Sequence, residues 1–315
     1  MKYFVLYTTL LLILLSIAGS PQVFQLKRCE TNTGYILNDL QFIDEQNGWA
    51  VGQGNTVLKT TDTGITWVKM REEGNTHLYS LSFLNLNVGW IGGEKGQILK
   101  TTDGGESWEK LSIGNNNWIY DITFINNKTG WAAGCSGIYS TTDGGVNWKP
   151  QFEKSGLDIY SLCFTDKDYG WALGGGTILH TSDGGQNWKI QKDDIPVSLY
   201  SICFVDRKYG WAVGDYGYIF RTRDGGYNWE LMDNGKPLWL SSVCFCDHST
   251  GYIAGVLYEE PESKGILLET IDGGESWRQE TVSSCLYASC FRTGECGWVA
   301  GADGAIYKCL TIKKQ

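Results

Sequence analysis

Six aspartates sit at one place in a recurring octamer. It reads TTDGGESW at residues 101–108 and returns as TTDGGVNW, TSDGGQNW, TRDGGYNW and TIDGGESW, with a diverged copy, TTDTGITW, at residues 60–67. Regularly spaced acids could act as general acids and bases or as metal ligands. Such chemistry is needed once or twice in a chain, not in every copy. An aspartate in this setting can instead accept hydrogen bonds from the backbone of its own turn. The glycines supply positive φ, and the tryptophan buries a large ring. Asp62, Asp103, Asp143, Asp183, Asp224 and Asp272 therefore read as structural, and no catalytic residue is assigned.

The other reactive side chains lead to similar conclusions. Asp39 and Asp121 hold the same place in two repeats and could form a carboxylate pair of the glycosidase kind. Serine stands at most equivalent places, so packing or hydrogen bonding fits them better. Ten cysteines and three histidines are present, with no C-x-x-C pair; no metal centre and no cofactor are expected. Cys163, Cys203, Cys244 and Cys290 each stand just before a repeated phenylalanine and read as small buried residues. Cys29 and Cys309 are the candidate disulfide, which would lock the two ends of the chain together.

The elements that must position these residues follow from self-comparison. A Gly-Trp pair recurs at Trp49, Trp90, Trp131, Trp171, Trp211 and Trp298, with Tyr252 in the sixth place. Phenylalanine recurs at Phe42, Phe83, Phe124, Phe164, Phe204, Phe245 and Phe291. The seven units span about 40 residues each, and each holds three or four short apolar runs between Gly, Asn and Asp turns. The fold class is all-β, a seven-bladed β-propeller. The seventh unit lacks a fourth strand, and 23–29 stands where one is missing. The N-terminal strand is therefore expected to complete the last blade, leaving no open edge.

Lys2, the apolar run 4–17 and the small residues at 16–18 have the form of a signal peptide with cleavage after Ala18; an uncleaved anchor is the alternative. The propeller then occupies 19–315 as one domain, exported to the periplasm or secreted. The net charge of −9 disfavours nucleic acid.

Loops leading into the innermost strands, and those joining second to third strands, share the face opposite the octamers. Trp118 and Trp239 are the only tryptophans outside the repeated positions and are expected on that face. His77, Asp215, Tyr216 and an insertion in the sixth unit with Tyr258, Glu259 and Glu260 join them. Large aromatics at a funnel mouth suit a binding surface. A solvated loop and two rings plugging the channel are the plain alternative. Tyr79, Tyr120, Tyr160 and Tyr200, four before the phenylalanine, are expected to pack between blades.

The set GW(A/I)xG followed by TxDGGxxW, over 23–311, resembles the photosystem II stability and assembly factor family and its homologues in non-photosynthetic bacteria. The octamer itself is similar to the Asp-box, or bacterial neuraminidase repeat. The resemblance implies a scaffold holding a protein client, such as a membrane protein, on the exported side. The arginine patch of photosynthetic members has no regular counterpart among the seven arginines here. A lectin-like module binding glycan or peptide is the alternative, and a glycoside hydrolase the least favoured reading, because no arginine lies on an innermost strand to hold a sugar carboxylate.

Overall fold

Each repeat opens with a strand of alternating large and small residues, as in Leu78–Phe83, followed by Gly89–Gly93, Gln97–Thr101 and Glu109–Ser112. Short turns pair these four antiparallel in chain order. In the computed structural model, which describes residues 22–313 apart from 73 and 234, the chain forms seven such sheets. The first strands of successive sheets touch in a closed cycle, the seventh meeting the first. This is the expected seven-bladed propeller. The expected signal segment and its cleavage site lie outside the described residues.

The ring closes through the two ends of the chain. Gln22–Arg28 pairs antiparallel with Ile306–Lys313 as the outer strand of the last blade. The register corrects the disulfide expectation. Leu26, not Cys29, stands opposite Cys309, and Cys29 donates its N–H to Ile306 O at 2.8 Å. Both thiols are free, because three residues of strand separate Cys29 from the position facing Cys309.

Aromatic stacking binds blade to blade. Trp49, Trp90, Trp131, Trp171 and Trp211 lie flat on the phenylalanine of the following blade, with ring centroids 3.5–4.0 Å apart. Trp298 does the same to Phe42 at 3.5 Å, across the closing seam. Each indole N–H also donates to a carbonyl in the next octamer turn, as Trp90 does to Gly144 O at 2.9 Å. A Cβ on Gly89 would lie 2.5 Å from the Phe83 ring, so the Gly-Trp pair needs its glycine for this layer to close up.

The octamer completes the layer from the outside. Its six aspartates each accept the hydroxyl of the threonine two residues earlier at 2.7–2.9 Å. Each also accepts the backbone N–H four residues later at 2.9–3.0 Å. The Ser107 hydroxyl and N–H hold the Asp103 carboxyl down at about 2. The octamer tryptophan stands edge-on to the phenylalanine of its own blade, as Trp108 does to Phe83 at 6.2 Å and 89°. This is the geometry of a turn brace. The diverged copy serves the seam: Thr63 replaces glycine at φ 65°, its carbonyl accepts Trp298 Nε1 at 3.2 Å and its hydroxyl accepts Lys308 Nζ at 2.9 Å.

The innermost strands have one unpaired backbone edge each, facing the axis. Side chains of the preceding blade cover it. Asp39, Ser80, Asp121, Ser161, Ser201 and Ser242 accept the N–H groups of Leu81, Ile122, Leu162, Ile202, Val243 and Ser289 at 2.7–3.3 Å. Two residues further on, the Cys163, Cys203 and Cys290 sulfurs accept from Phe204, Phe245 and Phe42 at 3.2–3.4 Å. These cysteines are half-buried rather than fully buried, and they serve as acceptors where Ser82 does so in blade two.

Candidate functional site

The loops opposite the octamers are positioned by the end of the Gly-Trp strand. A Cβ on Gly134 would sit 1.7 Å from Trp118 O, so only glycine lets the loop before the innermost strand cross so closely. The next N–H, that of Cys135, then donates to Trp118 O at 3.0 Å, and Asp215 N–H likewise to Ser198 O at 3.0 Å. Neighbouring blades are stitched the same way. Asp215 forms an antiparallel bridge with Trp239 of the next blade, and Gly217 N–H donates to Leu238 O at 3.0 Å.

A bulge at the start of the innermost strand then redirects one side chain in six of the blades. In blade three Ile119 pairs with Gly134 and Asp121 with Ala133, skipping Tyr120. The same shift skips Asn38, Tyr79, Tyr200, Ser241 and Tyr287. Bulges of this kind re-aim the extra residue. Tyr79, Tyr120 and Tyr200 consequently leave the face that strict alternation gives them with Leu81 and Phe83, which corrects that expectation; Tyr160, in the blade without the shift, packs against the buried cluster around Leu199 and Ile202. They meet one another from blade to blade: Tyr79–Tyr120 at 5.5 Å, Tyr120–Tyr160 at 5.3 Å and Tyr160–Tyr200 at 5.4 Å. All are half-buried. A half-ring of phenols thus lines the channel mouth. Alternation alone could not reveal it; a polar-tipped ring recurring beside a Gly-closed loop was the available signal.

Trp118 and Trp239 extend this arc at its two ends. Trp118, 41% exposed, stacks near Tyr79 at 5.9 Å and meets Tyr120 edge-on at 6.3 Å. Trp239 is half-buried and lies 5.5 Å from both Tyr200 and Tyr287. They do not touch each other, but ring contacts through Tyr120, Tyr160 and Tyr200 join them. Beside Trp239 is a cavity of about 350 Å³ lined by Tyr200, Tyr287, Ile36, Asn38, Gln53 and Ser241. A second depression, of about 580 Å³, brings together Asp215, Tyr216 and Tyr258 with the segment 235–238. The sixth-blade insertion therefore reaches the mouth, its hairpin lengthened to the pair Leu257–Lys264. Tyr258 N–H donates to Pro237 O at 2.9 Å. Glu259 pairs with Lys264 at 2.9 Å, and Glu260 is exposed. His77 is half-buried, and its backbone N–H donates to Glu94 Oε2 at 3.3 Å.

Carboxylates brace the phenols. Tyr79 donates to Glu94 Oε1 at 3.4 Å and Tyr200 to Asp215 Oδ2 at 3.0 Å. Burial, and then the Asp215 charge, pushes the Tyr200 hydroxyl up to about 12. The Tyr200 ring is thus a neutral π surface, and the Glu94 and Asp215 carboxylates stand beside the phenols. Deeper in the channel, Asp39 and Asp121 do not form a free pair. Asp39 accepts Leu40 and Leu81 N–H at 2.8 and 2.9 Å. Asp121 accepts Leu162 N–H and the Ser80 hydroxyl at 2.7 and 2.8 Å.

The family model described as photosynthesis system II assembly factor YCF48 matches residues 20–117, 111–194 and 189–284. No curated protein matches. Among solved structures, YCF48 bound to D1 peptide is 24% identical, with a TM-score of 0.75 over 91% of this chain and 95% of that one. YCF48 from Cyanidioschyzon merolae is 23% identical, with a TM-score of 0.72 over 90% and 98%. The GH74 xyloglucanase from Xanthomonas campestris is 10% identical, with a TM-score of 0.70 over 90% of this chain but 53% of that one. At these identities the structural likeness speaks to the fold alone. With its repeats matched across three successive segments, the chain belongs to the photosystem II assembly factor YCF48 family.

Proposed function

We propose that this protein is an exported, non-catalytic scaffold that binds a protein client through the channel mouth opposite the octamers. The observation that carries the reading is the continuous aromatic arc from Trp118 to Trp239, with Tyr216 and Tyr258 exposed beside it. Exposed aromatics clustered on rigid elements favour protein recognition. The related YCF48 structure with bound D1 peptide supports a peptide segment as the ligand class. Against hydrolysis stands the hydrogen bonding of Asp39 and Asp121, whose oxygens are engaged by backbone N–H groups of the next blade. In the two GH74 enzymes the match covers 53% of the chain, so almost half of each lies beyond the part matched here. The apolar run at 4–17 supports export, and a membrane protein on that side is the client the family suggests.

The test is in-cell crosslinking with mass spectrometry, wild type against Trp118→Ala/Trp239→Ala. Loss of partners in the variant is the expected result. Unchanged partners overturn the face, and no partners for the wild type overturn the scaffold. Stacked rings also favour sugars, so a glycan array decides the lectin reading.

A further inference from the structure

The cavity beside Trp239 has a shape and a sign that narrow its ligand. Three successive blades contribute one ring each: Tyr200, Trp239 and Tyr287. The Trp239 plane is inclined 81° to Tyr200 and 54° to Tyr287, with both centroids 5.5 Å away. The rings are therefore walls set at angles around a space, not a flat stack. Asn38, Gln53 and Ser241, all uncharged, complete the lining with Ile36, and no lysine or arginine stands among these lining residues. Asp215 is tied to this cage twice, by its bridge to Trp239 and by the Tyr200 hydroxyl. The Asp303 charge adds a smaller contribution of the same sign at Tyr287, whose hydroxyl is raised first by burial and then by Cys285 and Tyr258. Lys236, which lines the depression that holds Asp215, is ion-paired with Asp233.

Ring faces carry negative charge density and attract a cation placed over them, and several inclined rings surround an ammonium group best. Arginine prefers to lie flat on a single face. We propose that Tyr200, Trp239 and Tyr287 form an aromatic cage for the protonated amine of a lysine side chain, free or N-methylated, presented by the client. The inference rests on the proposal that this face binds a protein.

The probes are Nα-acetyl-lysine methylamide, its Nε-trimethyl form and its neutral Nε-acetyl form, titrated into the full chain by NMR or tryptophan fluorescence. The trimethyl probe is expected to bind at least 10-fold more tightly than the acetylated one. Trp239→Ala and Tyr287→Leu should each weaken it at least 5-fold, and Asp215→Asn 2- to 5-fold, in variants whose thermal unfolding stays cooperative. Two substitutions on different blades guard against one that merely disturbs folding. Equal binding of the charged and acetylated probes, tighter binding of an arginine probe, binding of a neutral hexose at these rings, or full affinity in both aromatic variants would overturn the cage. If the amine probes fail while Trp118→Ala/Trp239→Ala still loses its crosslinked partners, the cage is wrong and the face stands. If they bind while the partners are unchanged, the cage stands alone as an amine site.

Discussion

Removing Trp298 tests how firmly the ring is closed. The indole is 1% exposed, lies flat on Phe42 at 3.5 Å and donates to Thr63 O at 3.2 Å. It is the one repeated tryptophan whose stack joins the last blade to the first. Deleting a buried ring of this size without collapse costs about 3–5 kcal/mol. Trp90→Ala is the internal standard, since Trp90 stacks on Phe124 at 3.7 Å and donates to Gly144 O at 2.9 Å within the body of the ring. If the seam is as well formed as any other interface, the two substitutions should differ by no more than ~1 kcal/mol. Trp298→Phe keeps a ring over Phe42 but leaves Thr63 O without its donor, a loss of about 1–3 kcal/mol. The assay is urea unfolding followed by circular dichroism and fluorescence together, so that an intermediate with one loosened blade would show as two transitions. A cost below ~1.5 kcal/mol for Trp298→Ala beside a full cost for Trp90→Ala would refute the closed ring.

Other consequences concern the channel and the loops. Burial pushes the Asp39 carboxyl up to about 7, the Asp121 charge adding to it and the Leu81 N–H opposing. The folded chain therefore keeps a proton that the unfolded chain releases near pH 4. Stability from this group is complete below about pH 4 and is lost as pH rises through 7, by ~1–4 kcal/mol. Asp39→Asn should flatten that slope, seen in urea midpoints at pH 5 and 7.5; an unchanged slope would place the titration elsewhere. Gly134→Ala drives a Cβ into Trp118 O and should cost about 2 kcal/mol or more; wild-type stability and an unshifted Trp118 NMR signal would contradict the close crossing. Burial holds the Cys163 thiol up at about 12, so it should resist maleimide at pH 8 in the native state. Cys163→Ser should keep the acceptor for Phe204 N–H, whereas Cys163→Ala should cost ~1–2 kcal/mol in urea unfolding.

The repeat made the fold readable. Each blade spends the same residues on the same contacts, so Phe83, Trp90 and Asp103 announce their roles by returning at Phe124, Trp131 and Asp143. The closure was readable too, since 23–29 stood where a strand was missing. Register was not: whether Cys29 or Leu26 faces Cys309 depends on a few residues of strand offset, which composition does not encode. The mouth was partly legible. Trp118, Trp239, Tyr216 and Tyr258 stand out by breaking the repeat, and the structure places them on one face with Asp215. The phenol arc escaped because Tyr79, Tyr120 and Tyr200 keep the repeat while a bulge turns them off the face that alternation assigns. Cysteine as a backbone acceptor escaped for a related reason, since its hydrogen bond is made to another blade about 41 residues away.

The proposed function divides the two faces, the octamers building the ring and the opposite mouth meeting the client; a photo-crosslinking residue on each face tests that division most directly. Tyr216, 64% exposed at the mouth, and Val146, 57% exposed in an octamer turn, can both accept such a residue without touching the core. Irradiation in cells should yield a defined protein adduct from position 216 and none from position 146. Adducts from 146 alone would place the client on the octamer face and contradict the account.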